Sequence, residues 1–164
     1  MAERLSRDAR VVALVDGTLN KGSLWGQGML DAAEAALAPG LLSATFQRID
    51  LNPLENPPPE RWVAATLGGA DGVVFAAGDC VTCTSRSVRD AIWAELAGHP
   101  AAMVCTGSMQ DIVDQVCDTY GMPDLARFPV ADSFFGRSRE EIAVLTLPYV
   151  EQLTARLLAP ADQS

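Results

Sequence analysis

The stretch Gly72-Val73-Val74-Phe75-Ala76-Ala77, followed by Gly78-Asp79-Cys80-Val81-Thr82-Cys83-Thr84-Ser85, constrains this chain more than any other. The first six residues form an apolar run with no polar alternation, which reads as a short strand buried on both faces. Val88, Ile92 and Leu96 then recur at helical spacing. The segment between them therefore lies at the carboxyl end of a parallel strand and the amino end of a helix. Open α/β sheets bind their ligands there. A thiol in that position feels the positive end of the helix macrodipole, which favours thiolate. Two thiols three residues apart can also close a disulfide.

The same punctuation recurs along the chain. Residues 10–16 read as a first buried strand, ending in Asp16-Gly17-Thr18 at the same edge as Cys80. A helix is expected over 24–37, with Ser23 as N-cap and Pro39-Gly40 as its stop. The intervening loop, 19–23, is where a flavodoxin-like protein cradles phosphate. With one basic residue and one serine, it is a weak phosphate signal. Residues 44–51 alternate and suit a more exposed second strand. A proline-rich loop, 52–59, is too short for an interdomain linker. A short helix over 60–67 carries Trp62, Val63 and Leu67 inward.

After the cysteine segment, Ser87 and Asp90 have capping-box spacing, and the helix stops at Gly98-His99-Pro100. A fourth strand is expected over 101–105, followed by Thr106-Gly107-Ser108 and a helix carrying Ile112, Val113, Val116 and Cys117. Residues 127–130 form a short fifth strand, which Pro129 places at an edge. Ser138 and Glu141 give a second capping box, and Pro148 interrupts the last helix. Strands alternating with helices predict an α/β three-layer sandwich around a parallel five-stranded sheet, flavodoxin- or Rossmann-like. Right-handed crossovers give the order 2-1-3-4-5. One domain over 1–160, with a frayed tail at 161–164, accounts for the whole chain.

Composition limits the partners. Hydrophobic residues at 49% and charged residues at 20% specify a globular chain. A net charge of −9 argues against nucleic acid or an anionic membrane. The start, 1–8, is polar and is no signal peptide, and no apolar stretch is long enough to span a bilayer. Four cysteines without a leader suit a reducing cytoplasm and redox, catalytic or metal roles.

Cys80, first after the strand, is the expected nucleophile, and Cys83 the resolving thiol. Asp79, if ionised and near, raises the thiol pKa or carries a proton. Thr82, Thr84 and Ser85 offer hydroxyls that activate the Cys80 sulfur and bind substrate. Neighbouring loops bring Asp16, Thr18, Cys105, Thr106, Ser108 and Asp132 to the substrate side of the same edge. The competing reading of Cys80 and Cys83 as small buried hydrophobes is weakened by polar neighbours on both sides. Cys105 leaves several readings open: simple packing, a two-cysteine racemase or lyase with Cys80, an iron–sulfur cluster on three cysteines, or zinc completed by Asp16 or water. Cys117 falls on an apolar helix face. The single histidine, His99, belongs to the opposite edge, so a Cys/His machine within one chain is not expected.

The segment 78–85, continued by Ser87-Val88-Arg89-Asp90-Ala91-Ile92, resembles the signature of the UGSC family, named for a selenocysteine- or cysteine-Gly-Ser-Cys motif. The similarity extends through Ala97-Gly98-His99-Pro100, Val104-Cys105-Thr106, Gly121-Met122-Pro123-Asp124-Leu125 and Ser138-Arg139-Glu140-Glu141, nearly the whole chain. By position, the resemblance puts Cys80 where the family can use selenocysteine and Cys83 at the second motif cysteine. The motif is also similar to the Sec-x-x-Cys loop of the substrate-binding component of glycine and betaine reductases. Two departures stand out. Val81-Thr82 replaces Gly-Ser, and residues 130–136 replace a Pro-His-Pro often found in the family, with loss of its histidine.

Two function classes follow. One is an enzyme that uses the Cys80/Cys83 dithiol on a small electrophile and is re-reduced by an external thiol. The other is a non-catalytic ligand-binding or partner subunit of a complex. Flavin is a third option, weakened by the poor phosphate loop, and iron–sulfur a fourth. Phe134-Phe135 suggests a homo- or hetero-oligomer contact.

Overall fold

In the computed structural model, residues 1–6, 8–18, 24–51 and 59–158 are described. The expected Ser23 cap, the 19–23 phosphate loop, most of the proline-rich loop and the 161–164 tail lie outside them. Five strands, β1 (Val11–Asp16), β2 (Thr45–Asp50), β3 (Gly72–Ala77), β4 (Ala101–Thr106) and β5 (Ala126–Val130), form one all-parallel sheet in the order β2-β1-β3-β4-β5. Between and after them run α1 (Trp25–Leu37), α2 (Pro59–Leu67), α3 (Val81–Leu96), α4 (Gln110–Thr119), α5 (Arg139–Val150) and α6 (Leu153–Leu157). This is the expected α/β sandwich with the expected strand order.

Strand periodicity divides the core in two. Val12, Leu14, Val74, Ala76 and Val104 face one layer, packed with Met29, Leu30, Ile142, Val150 and Leu153 of α1, α5 and α6. Ala13, Val15, Val73, Phe75, Met103 and Cys105 face the other, packed with residues of α2, α3 and α4. β3 and β4 are buried along their full lengths, as unalternating apolar runs require. β2, at one sheet edge, is exposed or half-exposed throughout. Pro129 lies in β5, the other edge strand. Trp62 is core and stacks on Phe75 with centroids 5.8 Å apart.

Ser138 and Glu141 form the second capping box, each side chain bonding the other's backbone N–H. The first box does not form. Ser87 and Asp90 lie two turns inside α3 and are buried. The helix has already started at Val81, because Cys80 caps it with its own sulfur. Pro148 sits inside α5, which ends two residues later before the separate turn of α6. α5 is tied to α1 by Arg139, which forks onto Asp31 at 2.5 and 2.7 Å. Burial pushes the Asp31 carboxyl up, but hydrogen bonds and charge from Arg139 and Arg48 outweigh it and hold the pKa below its ordinary value.

Candidate functional site

The strand order reverses between β1 and β3, so the crevice beyond their carboxyl ends is where an open parallel sheet admits a ligand. Asp16 ends β1 and Thr18 lies in the loop after it, while the loop after β3 carries Asp79 and Cys80. α3 comes close to the β1 loop through Gly17. A Cβ there would lie 2.0 Å from Ser87 Oγ, so glycine at this position is what lets the buried Ser87 side chain pack against the loop. Asp16 is internally engaged: its Oδ1 accepts from the backbone N–H and the hydroxyl of Thr18, at 2.9 and 2.6 Å.

Cys80 has extended backbone, φ −151° and ψ 151°, and is the N-cap of α3. Its sulfur accepts from the Cys83 N–H at 3.1 Å. This is the bond that Ser or Asp makes at most helix starts. The two sulfurs are joined as a disulfide across a Cα–Cα distance of 5.4 Å. Cys80 is half-buried at the mouth, while Cys83 is buried at 3% exposure. Two of the nearby hydroxyls donate to backbone carbonyls and not to the sulfur. Thr84 donates to the Cys80 carbonyl and Ser85 to the Val81 carbonyl, each closing back on the residue four earlier. Thr82 is exposed. The backbone, not the hydroxyls, supports the sulfur.

An Asp79 carboxylate oxygen and the sulfurs of Cys80 and Cys83 lie within 4.8 Å of one another. Among the described residues they form the one such group of three metal-capable donors, and Cys105 does not join it. Cys105 sits at the end of β4 opposite Ala77 of β3, at the expected edge, but it packs in the α2–α3–α4 core with Cys117. Burial, followed by the charge of Asp114, pushes its thiol pKa up to about 12. Such a thiol is a poor base or ligand at neutral pH. Cys117 is likewise raised, first by burial. His99 stands at the amino edge, its Nδ1 2.9 Å from the Ala70 carbonyl.

Thr106, Ser108 and Asp132 come together in a cleft of about 210 Å³ on the carboxyl edge beyond β4 and β5. Its other walls include Trp25 at the start of α1, which the sequence did not point to, with Phe134 and Phe135, expected as an oligomer contact, edge-on to it at 5.6 and 5.2 Å. The two phenylalanines differ: Phe134 is 2% exposed and Phe135 82%. Tyr149 of α5 hydrogen-bonds Asp132, which raises the tyrosine pKa. Thr106 ties this cleft to the cysteine loop. Its hydroxyl donates to the Gly78 carbonyl at 2.9 Å, and a Cβ on Gly78 would lie 2.8 Å from the Thr106 backbone nitrogen.

The profile of the UGSC family matches residues 2–159. The chain belongs to the UGSC family. No curated protein matches it. The family match thus covers the sheet, the Cys80–Cys83 turn and the Trp25 cleft together. Among the described residues of this UGSC chain, no helix is long and apolar enough to cross a membrane.

Proposed function

We propose that this UGSC protein is a thiol-dependent enzyme that acts on a small electrophile through Cys80 and Cys83. One observation carries the reading: a half-exposed sulfur caps a helix at the topological switch point, bonded to a buried partner three residues on. In the reduced form the helix dipole and the Cys83 N–H both favour thiolate on Cys80. That thiolate attacks the electrophilic atom of the substrate, and the leaving group departs with its electron pair. Where the reaction is reductive, Cys83 thiolate next attacks the Cys80 sulfur. A disulfide forms, and the bound fragment leaves with the bonding pair and takes a proton from the Asp79 side. Two electrons pass from two thiols to the substrate, and an external dithiol in a reducing cytoplasm resets the pair. Where it is addition–elimination, water takes the fragment from Cys80, the thiolate is regenerated and no reductant is consumed. The Trp25 cleft holds the non-reacting part of the ligand, apolar carbon on Trp25 and Phe134, polar groups on Ser108 and Asp132.

A partner-subunit reading has its own support. The only imidazole is at the far edge, and Phe135, Val144 and Leu147 expose apolar surface suited to an oligomer or a second subunit. Intact-mass spectrometry separates the two readings. The reduced protein should add one equivalent of an alkyl-halide electrophile at Cys80 at neutral pH, faster than free cysteine does. Cys83→Ser should hold a stable adduct on Cys80, and Cys80→Ser should form none. Labelling no faster than free cysteine, or full turnover by Cys80→Ser, replaces the enzyme reading with the partner subunit.

A further inference from the structure

We propose that in its dithiol form the Asp79–Cys80–Cys83 triangle is a binding site for one thiophilic divalent cation, with zinc as the type, and that metal and disulfide exclude each other. The donor set is two sulfurs and one carboxylate oxygen, all within 4.8 Å of one another. Tetrahedral zinc with sulfur at about 2.3 Å and oxygen at about 2.1 Å keeps its donors roughly 3.5–3.8 Å apart. The Asp79 oxygen already lies within reach of both sulfurs, which are bonded to each other in the disulfide and part to that spacing only on reduction. Two thiolates and a carboxylate around a divalent ion leave a net charge of −1, placed at the positive end of α3. The Cys83 N–H already points at the Cys80 sulfur, the outer support that fixes a metal-bound thiolate. The fourth position opens toward the mouth, where Cys80 is half-exposed, and is left for water or a ligand.

The chemistry balances simply. A dithiol supplies two electrons and two protons to open the disulfide, or a phosphine supplies the electrons and water the protons, leaving phosphine oxide; the cation then displaces both thiol protons. Neither sulfur can then attack an electrophile or re-form the disulfide until the metal leaves. Metal thus competes with the thiol chemistry proposed above without depending on it, since binding is read by spectrum and stoichiometry and needs no turnover.

The test titrates the full chain, reduced with a phosphine, with Co²⁺ and then Zn²⁺. One equivalent of Co²⁺ should give a sulfur-to-cobalt charge-transfer band that zinc abolishes, and bound zinc should block alkylation of both Cys80 and Cys83. The disulfide form should give no such band. Asp79→Asn should weaken binding by about tenfold or more, since it removes a ligand where loss of an outer-shell partner alone costs that much. Cys80→Ser and Cys83→Ser should each remove the band, while Cys117→Ala leaves it intact. Equal Co²⁺ binding by the oxidised and reduced proteins, no thiolate band, unchanged affinity in Asp79→Asn, or a band lost in Cys117→Ala would each overturn the site. Alkylation of Cys80 in the metal-free protein is unaffected by any of these results, so the enzyme reading stands or falls separately.

Discussion

Four cysteines occur in two pairs, and the pairs have opposite fates. Cys80 and Cys83 meet at a helix N-terminus on the carboxyl edge, one of them half-exposed. Cys105 and Cys117 meet in the core beside Asp114 and Arg127, where burial holds both thiols neutral. Cys105 lies in β4 and Cys80 just after the neighbouring β3, both at the carboxyl edge, so sharing that edge does not decide reactivity. Reach past the strand end does. Cys105 is the last inward residue of β4, while Cys80 lies past the end of β3, where the chain has turned to start a helix. A sulfur three residues beyond a strand can carry charge, and one within it cannot.

The largest effect that could break this contrast is a labelling ratio. In reduced native protein, Cys80 should alkylate at least about a thousandfold faster than Cys105, because Cys105 reacts only through global opening. A ratio under tenfold would end the distinction. The next concerns alkaline stability. The unfolded Cys105 thiol ionises near 9.0, while the folded one keeps its proton to about 12. Its contribution is therefore complete below pH 9 and is lost as pH rises from 9 through 12, at about 1.4 kcal/mol per unit. Denaturant titrations from pH 8 to 11 should show a steeper loss in wild type than in Cys105→Ala; parallel curves would contradict the burial argument.

Serine substitution sharpens the same comparison. Cys105→Ser puts a hydroxyl into apolar surroundings and should cost roughly 1–3 kcal/mol. Cys80→Ser, compared under reductant, should stay within about 0.5 kcal/mol, because serine is a better helix cap than cysteine. Urea melts of the two variants read the difference directly. Last, Gly78→Ala drives a methyl into Thr106 and should cost roughly 1–3 kcal/mol by overpacking. The same change should slow Cys80 alkylation, since it displaces the loop. Wild-type stability and labelling in Gly78→Ala would show that the Thr106 contact yields freely.

Most of the scaffold was legible because it rests on local pattern. Unalternating runs gave β3 and β4, Pro129 gave the edge, and Ser138 with Glu141 gave a cap. The start of α3 was misread for a specific reason. Ser87 and Asp90 match a capping template, whereas Cys80 belongs to no usual list of caps, yet it does the capping. Asp90 is instead buried inside the helix with Arg86 and Arg89; burial raises its carboxyl pKa against the lowering effect of both arginines. The cleft walls were not legible, because Trp25 meets Phe134 and Phe135 from more than a hundred residues away. Adjacent phenylalanines also gave no sign that one would turn in and the other out.

The bond from the Cys83 amide to the Cys80 sulfur gives this turn a built-in reporter. An amide proton shared with sulfur is deshielded according to the electron density on that sulfur. Thiol, thiolate, disulfide and metal thiolate differ in that density, so each gives the Cys83 amide its own nuclear resonance. The chemical history of a side chain can thus be followed from the backbone, residue by residue, in a solution where nothing has been labelled on the sulfur itself.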